Sequence, residues 1–146
     1  MAEAPRHRFP LRVYYEDTDA GGIVYYANYL RFAERARTEM LREMGVESSW
    51  LMAEEGVALA VRRCAMDFIK PAQLDDAIVI ETEVTRVGGA SLEAVQTVLR
   101  AGEELVRIDL KLGCMTLAGQ AARLPAAVRA RLDNFLGTGE PAANQG

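Results

Sequence analysis

Histidine is nearly absent from this chain of 146 residues, and the single one, His7, lies close to the N-terminus. Histidine is the usual acid–base residue near neutral pH. Its scarcity excludes Ser-His-Asp and Cys-His catalytic arrangements, and it excludes dehydratase chemistry built around a helix histidine. Residues 1–9 read as a loose tail, so we do not expect His7 to be catalytic. Acid–base chemistry in this protein therefore falls to its carboxylates.

Cysteine and lysine are also scarce, with two of each. Cys64 and Cys114 both lie in apolar, strand-like segments, so we expect buried free thiols. No disulfide framework is implied, which fits a reducing compartment. The formal net charge is −4 and the pI is about 5.1. This acidic balance disfavours a general nucleic-acid binder, which usually has a basic face.

Long apolar runs are missing from the sequence. No run approaches the length of a membrane span. The first residues, Met-Ala-Glu-Ala-Pro-Arg-His-Arg, contain no apolar segment of the kind found in secretory signals. We therefore expect a soluble, cytoplasmic protein without a membrane span.

The usual sequence signatures of bound groups are missing as well. Gly21-Gly22 and Gly88-Gly89 are isolated pairs and form no dinucleotide-binding or P-loop pattern. Glu16, Asp17 and Asp19 form an acidic cluster, but they lack the alternating ligand order of a calcium loop. We expect no cofactor and no metal.

The size and apolar content of the chain predict one folded domain. Half of the residues are hydrophobic, which suffices for a core without disulfides or metals. We expect a single domain over residues 1–136, followed by a disordered tail over residues 137–146.

The first half of the chain predicts a strand, a loop and a long helix. Leu11 to Tyr15 reads as a short strand, and Glu16 to Gly22 as a loop. The helix is predicted to begin at Asn28, a favoured N-cap residue, and to end at Gly45. Its apolar residues recur at spacings of three and four and form one stripe: Tyr29, Ala33, Ala36, Met40 and Met44. The small residues at the middle of this stripe would let a sheet pack closely.

After residue 56 the hydrophobic period changes from 3.6 to about two, which indicates strands. A short helical turn is predicted over Ser48 to Gly56 and a last helix from about Pro125 to Leu136. Between them the pattern predicts four long strands: Val57 to Ile69, Ile78 to Thr85, Leu92 to Val98 and Leu105 to Thr116. This order predicts an α+β fold in which a meander of four strands follows the helix.

The segment between the first strand and the helix combines groups that can perform acyl chemistry. Asp19 lies beside the flexible Gly21-Gly22 pair, just before the unpaired N–H groups of a helix start. Those N–H groups can stabilise a developing negative charge, while the carboxylate attacks a carbonyl or activates water. No general acid is evident, so the leaving group must be good, which favours thioesters over amides. The alternative is an acidic surface loop before an amphipathic helix.

The same segment of the sequence resembles a known family. Asp19-Ala-Gly-Gly-Ile-Val-Tyr-Tyr-Ala-Asn-Tyr is similar to the signature of hotdog-fold acyl-CoA thioesterases of the 4-hydroxybenzoyl-CoA thioesterase type. Tyr14-Tyr-Glu-Asp-Thr-Asp-Ala-Gly-Gly and Glu34-Arg-Ala-Arg-Thr-Glu-Met-Leu resemble the branch associated with the Tol–Pal cell-envelope system. Two later segments also match: Asp67-Phe-Ile-Lys-Pro-Ala and Leu74-Asp-Asp. The resemblance runs from about residue 10 to residue 117.

The resemblance implies a fold, an assembly and an activity. The fold is the hotdog, a long central helix wrapped by a curved antiparallel sheet. The assembly is a homodimer with two sites between subunits, often paired into a homotetramer. The implied substrate is an acyl-CoA, which is hydrolysed to the free acid and CoA.

The resemblance also assigns roles to individual residues. Asp19 would be the catalytic carboxylate, as nucleophile or general base, and the Tyr26 N–H would polarise the thioester carbonyl. Lys70 is a candidate for holding a CoA phosphate, as are Arg62, Arg63 and Arg86. The remaining substrate-binding candidates surround the catalytic positions: Gly22, Ile23, Val24 and Tyr25. The Tol–Pal branch often has histidine at the position of Tyr26.

Two other classes of function remain open. A hotdog module could bind an acyl-thioester or a partner protein without turnover, because a fold does not by itself grant activity. An envelope-associated scaffold is disfavoured, because the acidic charge provides no membrane-binding patch. Asp17 and Glu16 read as solvated or structural loop residues and Asn28 as a helix cap. The acyl group, whether aryl, short aliphatic or long aliphatic, is not specified.

Overall fold

A computed structural model describes residues 5–138 of the chain. Of the predicted tail, residues 139–146 lie outside this range, whereas Gly137 belongs to the last helix. A short 3-10 turn at Tyr15–Asp17 follows the first strand. The elements in chain order are β1 (Arg6–Arg12), α1 (Asn28–Glu43), α2 (Ser48–Glu55), β2 (Val57–Phe68), β3 (Ala77–Val87), β4 (Ser91–Arg100), β5 (Glu103–Thr116) and α3 (Ala126–Thr138).

The five strands form one antiparallel sheet in the order β1-β3-β4-β5-β2. The predicted α+β class and the four long strands after residue 56 are confirmed. The predicted meander is correct for β3 to β5 but wrong for β2, which pairs with β5 at the far edge. Tight turns force consecutive strands to be neighbours, but the loop over residues 69–76 is long enough to carry the chain from one side of the sheet to the other.

The long helix α1 packs its predicted apolar stripe into the core. Every residue of that stripe is buried, and the small residues Ala33 and Ala36 are at most 1% exposed. Close approach of helix and sheet is visible at Gln96 of β4, whose Nε2 donates to the Ala33 carbonyl at 3.0 Å. Gly45 follows the helix with φ of +89°, which a glycine adopts without strain. The sequence therefore predicted both the helix and its buried face.

The start of α1 differs from the prediction. Ala27, not Asn28, occupies the N-cap position, and Asn28 is the first helical residue. The Asn28 side chain instead donates through Nδ2 to the Asp17 carbonyl at 2.9 Å. Asn28 thus ties the helix to the preceding loop, a contact that local capping preference does not reveal.

The N-terminal segment also differs, because strand β1 begins at Arg6 within the predicted tail and ends before Tyr15. Arg6 lies opposite Glu83 of β3, and its Nη1 lies 2.9 Å from Glu81 Oε1. His7 is 9% exposed, with Nε2 at 2.9 Å from Glu43 Oε2 of α1. The segment is ordered by acidic partners that are distant in sequence, so its own composition could not predict the strand.

The two cysteines have different environments. Both are free thiols, but Cys114 is buried whereas Cys64 is exposed. The prediction of burial is therefore right for Cys114 and wrong for Cys64. Cys64 lies on β2, which has a neighbouring strand on one side only. Burial raises the pKa of the Cys114 thiol.

Candidate active site

The active-site loop, which we define as residues 14–27, connects the end of β1 to α1. Asp17 organises its first half. The Asp17 Oδ2 accepts a hydrogen bond from the Tyr14 N–H at 2.8 Å. The Asp17 carbonyl accepts from the Tyr25 N–H at 3.0 Å and from Asn28 Nδ2 at 2.9 Å. Asp17 therefore fixes the conformation of the loop through these hydrogen bonds, which agrees with its predicted structural role.

Asp19 lies on the exposed side of this loop. Its Oδ1 accepts a hydrogen bond from the Gly21 N–H at 2.8 Å, and its carbonyl accepts from the Gly22 N–H at 3.1 Å. Gly22 has φ of +79°, a conformation that favours glycine. Within residues 5–138, Oδ2 has no hydrogen-bond or ion-pair partner. One oxygen thus fixes the side chain while the other is free to act on a ligand.

The backbone N–H groups of the loop fall into two sets. Most donate to an acceptor within the loop or its neighbour: those of Tyr14, Asp17, Thr18, Asp19, Gly21, Gly22, Val24 and Tyr25. The remaining N–H groups donate to no acceptor among the described residues: those of Tyr15, Glu16, Ala20, Ile23, Tyr26 and Ala27. Of these, the N–H groups of Tyr26 and Ala27 lie directly before α1, where the helix dipole favours negative charge. These two N–H groups can therefore donate hydrogen bonds to a developing oxyanion.

A second segment, residues 69–76, packs against the loop and is called the bracing loop below. The Val24 N–H donates to the Ala72 carbonyl at 2.8 Å, and the Leu74 N–H donates to the Gly22 carbonyl at 3.1 Å. The Ala72 N–H donates to the buried Tyr29 hydroxyl at 3.0 Å. Sequence reasoning did not find this pairing. The only signals in the sequence were the two later family matches, Asp67-Phe-Ile-Lys-Pro-Ala and Leu74-Asp-Asp, which do not by themselves indicate a pairing.

Aromatic side chains line the surface beside the helix start. The Tyr26 ring is 62% exposed and lies 4.9 Å from the Tyr25 ring and 6.2 Å from the Phe68 ring, measured between centroids. Phe68 is 53% exposed at the end of β2 and also contacts Tyr29. Side-chain hydrogen bonding with Tyr26 raises the pKa of the Tyr25 phenol. Such an exposed apolar patch indicates a surface that binds a ligand or another protein chain.

The other predicted substrate-binding residues are not all presented to solvent. Val24 is 3% exposed, so its side chain belongs to the core. Ile23 lies in an isolated bridge with Gln73. Lys70 is exposed, but its Nζ lies 2.6 Å from Glu103 Oε2, so its charge is already paired. The other basic candidates lie on strands: Arg62 and Arg63 on β2 and Arg86 on β3.

The acidic residues of the loop do not converge. No group of three His, Cys, Asp or Glu side chains within residues 5–138 is arranged to hold a metal ion. Asp17 and Asp19 each bind a different backbone N–H, at Tyr14 and at Gly21. In the same described range, no helix is long and apolar enough to cross a membrane.

Fold and loop together define a class of protein. A long helix packed on a five-stranded antiparallel sheet, with a carboxylate loop entering the helix, is the arrangement expected of hotdog thioesterases. The model of the thioesterase-like superfamily matches residues 13–132. The chain belongs to this superfamily.

Three similar proteins extend this result. The acyl-CoA thioesterase YbgC of Haemophilus influenzae is 46% identical over 109 residues, which cover 75% of this chain and 80% of the relative. The crystal structure of a probable thioesterase from Bartonella henselae has a TM-score of 0.80 and 36% identity, covering 82% of this chain and 99% of that one. A variant of 4-hydroxybenzoyl CoA thioesterase, solved with 4-hydroxybenzoyl CoA, has a TM-score of 0.81 at 23% identity and covers 88% and 99%. At that identity the likeness concerns the fold alone, which is the hotdog.

Proposed function

We propose that Asp19 is the catalytic carboxylate of an acyl-CoA thioesterase. The protein hydrolyses an acyl-CoA thioester to the free acid and CoA. One observation carries the assignment: Asp19 is held by the Gly21 N–H with Oδ2 free, in the loop that ends with the unpaired N–H groups of Tyr26 and Ala27. Similarity to the YbgC thioesterase of Haemophilus influenzae supports the substrate class.

Two routes of thioester hydrolysis can use these groups. As nucleophile, an Asp19 oxygen attacks the thioester carbon, the C–S bond breaks, and CoA leaves as a thiolate. Water then hydrolyses the resulting anhydride. As general base, Asp19 takes a proton from water, whose oxygen attacks the same carbon; the C–S bond then breaks and CoA leaves as a thiolate. In both routes the Tyr26 N–H stabilises the oxyanion. Thiols are far more acidic than alcohols, and a cysteine thiol has a pKa of about 8.5, so a thiolate can leave without a general acid.

In the proposal, the substrate is bound by exposed aromatic rings, by residues of the active-site loop and by Lys70. The exposed aromatic surface of Tyr25, Tyr26 and Phe68 offers apolar contact to an acyl group. Gly22 and Ile23 lie in the same loop, while the buried Val24 supports it from the core. Binding of a CoA phosphate by Lys70 requires that the ion pair between Lys70 and Glu103 be broken. The route through Asp19 requires no cofactor.

The edges of the sheet support a homodimer with β2 at its centre. Edge strand β1 is short and carries Arg6, Arg8, Pro10 and Arg12, features that discourage edge pairing. Edge strand β2 has 12 residues, and half-exposed apolar side chains occur along it and just after it, at Val61, Phe68 and Ile69. Pairing of β2 with its copy would cover them and place each active site near the second subunit. Further pairing into a homotetramer, a cytoplasmic location and the Tol–Pal association belong to the same proposal.

The test is thiol release from a panel of aryl, short aliphatic and long aliphatic acyl-CoAs. Asp19→Asn keeps the size of the side chain and an oxygen for the Gly21 N–H, but it removes the charge. Turnover should fall at least ~100-fold, the scale of losing a positioned acid–base group. Substrate binding should largely persist, because the amide has nearly the same shape.

Asp17→Asn is the matched control, since its carboxylate serves the Tyr14 N–H within the loop. It should lose much less activity than Asp19→Asn. Circular dichroism checks that both variants are folded, so that a disrupted structure is not mistaken for the loss of a catalytic group. A folded Asp19→Asn protein with near wild-type turnover would refute the catalytic assignment and favour the non-catalytic binding module.

A further inference from the structure

The position of the active-site loop depends on the bracing loop, residues 69–76. The Gly22–Val24 stretch lies between Asp19 and Tyr26, the two residues of the proposed mechanism. This stretch is hydrogen-bonded on both sides of Gln73, by the Val24 N–H to Ala72 and by the Leu74 N–H to Gly22. A shift of the bracing loop therefore moves the backbone that separates the carboxylate from the N–H donors.

The bracing loop is itself fixed by Asp76 at its C-terminal end. Asp76 Oδ2 accepts the Gln73 N–H at 2.8 Å and Arg100 Nη1 at 2.8 Å. Arg100 Nη1 also lies 3.4 Å from the Pro71 carbonyl. One guanidinium thus contacts both ends of the segment that pairs with the active-site loop.

Arg100 stands on the sheet rather than on a loop. It is the last residue of β4 and lies opposite Glu103 of β5, with Nη2 at 3.2 Å from Glu103 Oε1. The side chains of Arg100 and Asp76 are 29% and 21% exposed, respectively, so the pair is partly shielded from solvent. Partial shielding and several hydrogen bonds distinguish this pair from an ordinary surface ion pair.

The electrostatics agree with this geometry. Burial alone would raise the pKa of the Asp76 carboxyl. The hydrogen bonds from the Gln73 N–H and from Arg100, together with the guanidinium charge, hold that pKa below its usual value. The same contacts with Asp76 and Glu103 raise the pKa of Arg100. Both groups are therefore charged throughout the neutral range, and the link persists there.

We infer that Arg100 is a positioning residue, which acts through Asp76 and the bracing loop to set the spacing between Asp19 and the Tyr26 N–H. This inference rests on the proposed function of Asp19. Arg100 touches none of the proposed reacting groups, so its effect belongs in the catalytic step rather than in substrate affinity. A residue that merely stabilised the fold would not be expected to show this selectivity.

The experiment compares Arg100→Gln, Arg100→Lys and Arg107→Gln in the full chain. Arg107 is the matched control, because it makes an exposed ion pair with Asp109 on β5 and no hydrogen bond to either loop within the described residues. In Arg100→Gln, kcat for an acyl-CoA should fall about 10- to 100-fold, the effect of a misplaced reacting group, with KM within about twofold of wild type. Arg100→Lys keeps a charged donor for Asp76 and should restore most of kcat. Arg107→Gln should behave as wild type.

Amide hydrogen exchange supplies a readout that does not need activity. The N–H groups of Val24 and Leu74 should exchange at least about tenfold faster in Arg100→Gln, and at the wild-type rate in Arg107→Gln. If wild type cleaves no acyl-CoA, the proposed function fails, and exchange alone then decides whether Arg100 holds the two loops together.

Three results would overturn the inference. The first is unchanged kcat together with unchanged exchange in Arg100→Gln. The second is a raised KM with unchanged kcat, which would make Arg100 a substrate ligand. The third is an equal loss of kcat in the glutamine and lysine variants.

If Arg100→Gln does not fold, Asp76→Asn tests the same ion pair from its acidic partner, because it keeps an acceptor for the Gln73 N–H and loses the charge. It should show the same fall in kcat at constant KM, and an unchanged kcat would overturn the inference.

Discussion

At the residue scale, hydrogen bonds distinguish the structural carboxylate of the active-site loop from the one proposed to react. Asp17 and Asp19 are both acidic and lie two positions apart. The Asp17 carboxylate and carbonyl hold the loop together, whereas Asp19 keeps one oxygen without a partner in the described structure. Composition and spacing placed both carboxylates in one acidic loop, and the hydrogen bonds distinguish them. The family signature was needed to choose Asp19 as catalytic.

A prediction at this scale concerns Tyr26. We expect its N–H rather than its phenol to serve the reaction, because the N–H is unpaired beside the helix start. Tyr26→Phe keeps the N–H and the ring, so kcat should fall less than about tenfold, or about 1.4 kcal/mol of barrier. Steady-state thiol release measures this.

Tyr15→Phe provides the control for removing an exposed phenol from the same loop, since Tyr15 is 83% exposed. It should have no measurable effect. A thousandfold loss in Tyr26→Phe alone would show that the hydroxyl is a catalytic donor, in place of the histidine found in the Tol–Pal branch.

At the element scale, helix α1 is coupled to the sheet through one buried polar side chain. Gln96 is fully buried on β4. Its Nε2 donates to the Ala33 carbonyl and to Thr82 Oγ1, both at 3.0 Å, and its Oε1 accepts from Arg37 Nη1 at 3.0 Å. A glutamine within an alternating strand pattern predicts a strand position but not these partners. Helix α1, which directly follows the proposed oxyanion donors at Tyr26 and Ala27, is thus fixed to the sheet by directional bonds as well as by apolar packing.

Gln96→Leu should test this coupling. The substitution leaves the Arg37 guanidinium and the Thr82 hydroxyl without this partner, at a cost of about 1–3 kcal/mol for each buried unsatisfied group. We expect the free energy of unfolding to fall by roughly 2–4 kcal/mol in a urea titration at fixed protein concentration.

Thr97→Val is the neighbouring control, because Thr97 alternates to the other face of β4 and is only partly buried. Its effect should stay within about 0.5 kcal/mol, as for surface substitutions. Equal stability of the Gln96→Leu protein and the wild type would show that the buried network contributes nothing net.

At the scale of the whole molecule, the sheet has one protected edge and one open edge. The arginines and proline of β1 protect its edge, while β2 ends beside the exposed aromatic surface at Phe68. Exposed hydrogen-bonding edges tend to pair with other strands. The fold of a single chain thus presents an open sheet edge that ends beside Tyr26 of the active-site loop.

We expect light scattering at micromolar concentration to give a mass at least twice the 16.0 kDa of one chain. Val61→Asp places a charge on the open edge and should shift the population toward monomer. Arg8→Ala on the protected β1 edge should leave the mass unchanged. A monodisperse wild-type monomer would contradict the dimer.

The sequence by itself determined the elements with strong local patterns. The helix stripe, the Gly45 stop, the four long strands and the position of Asp19 before a helix all follow from periodicity, turn chemistry and one ordered motif. Tertiary structure decided what depends on partners distant in the chain. The pairing of β2 with β5, the strand at residues 6–12, the tie from Asn28 to Asp17 and the brace from Arg100 to Asp76 are of this kind. Each joins groups whose separation in sequence carries no periodic signal, so only the folded chain brings them within hydrogen-bonding distance.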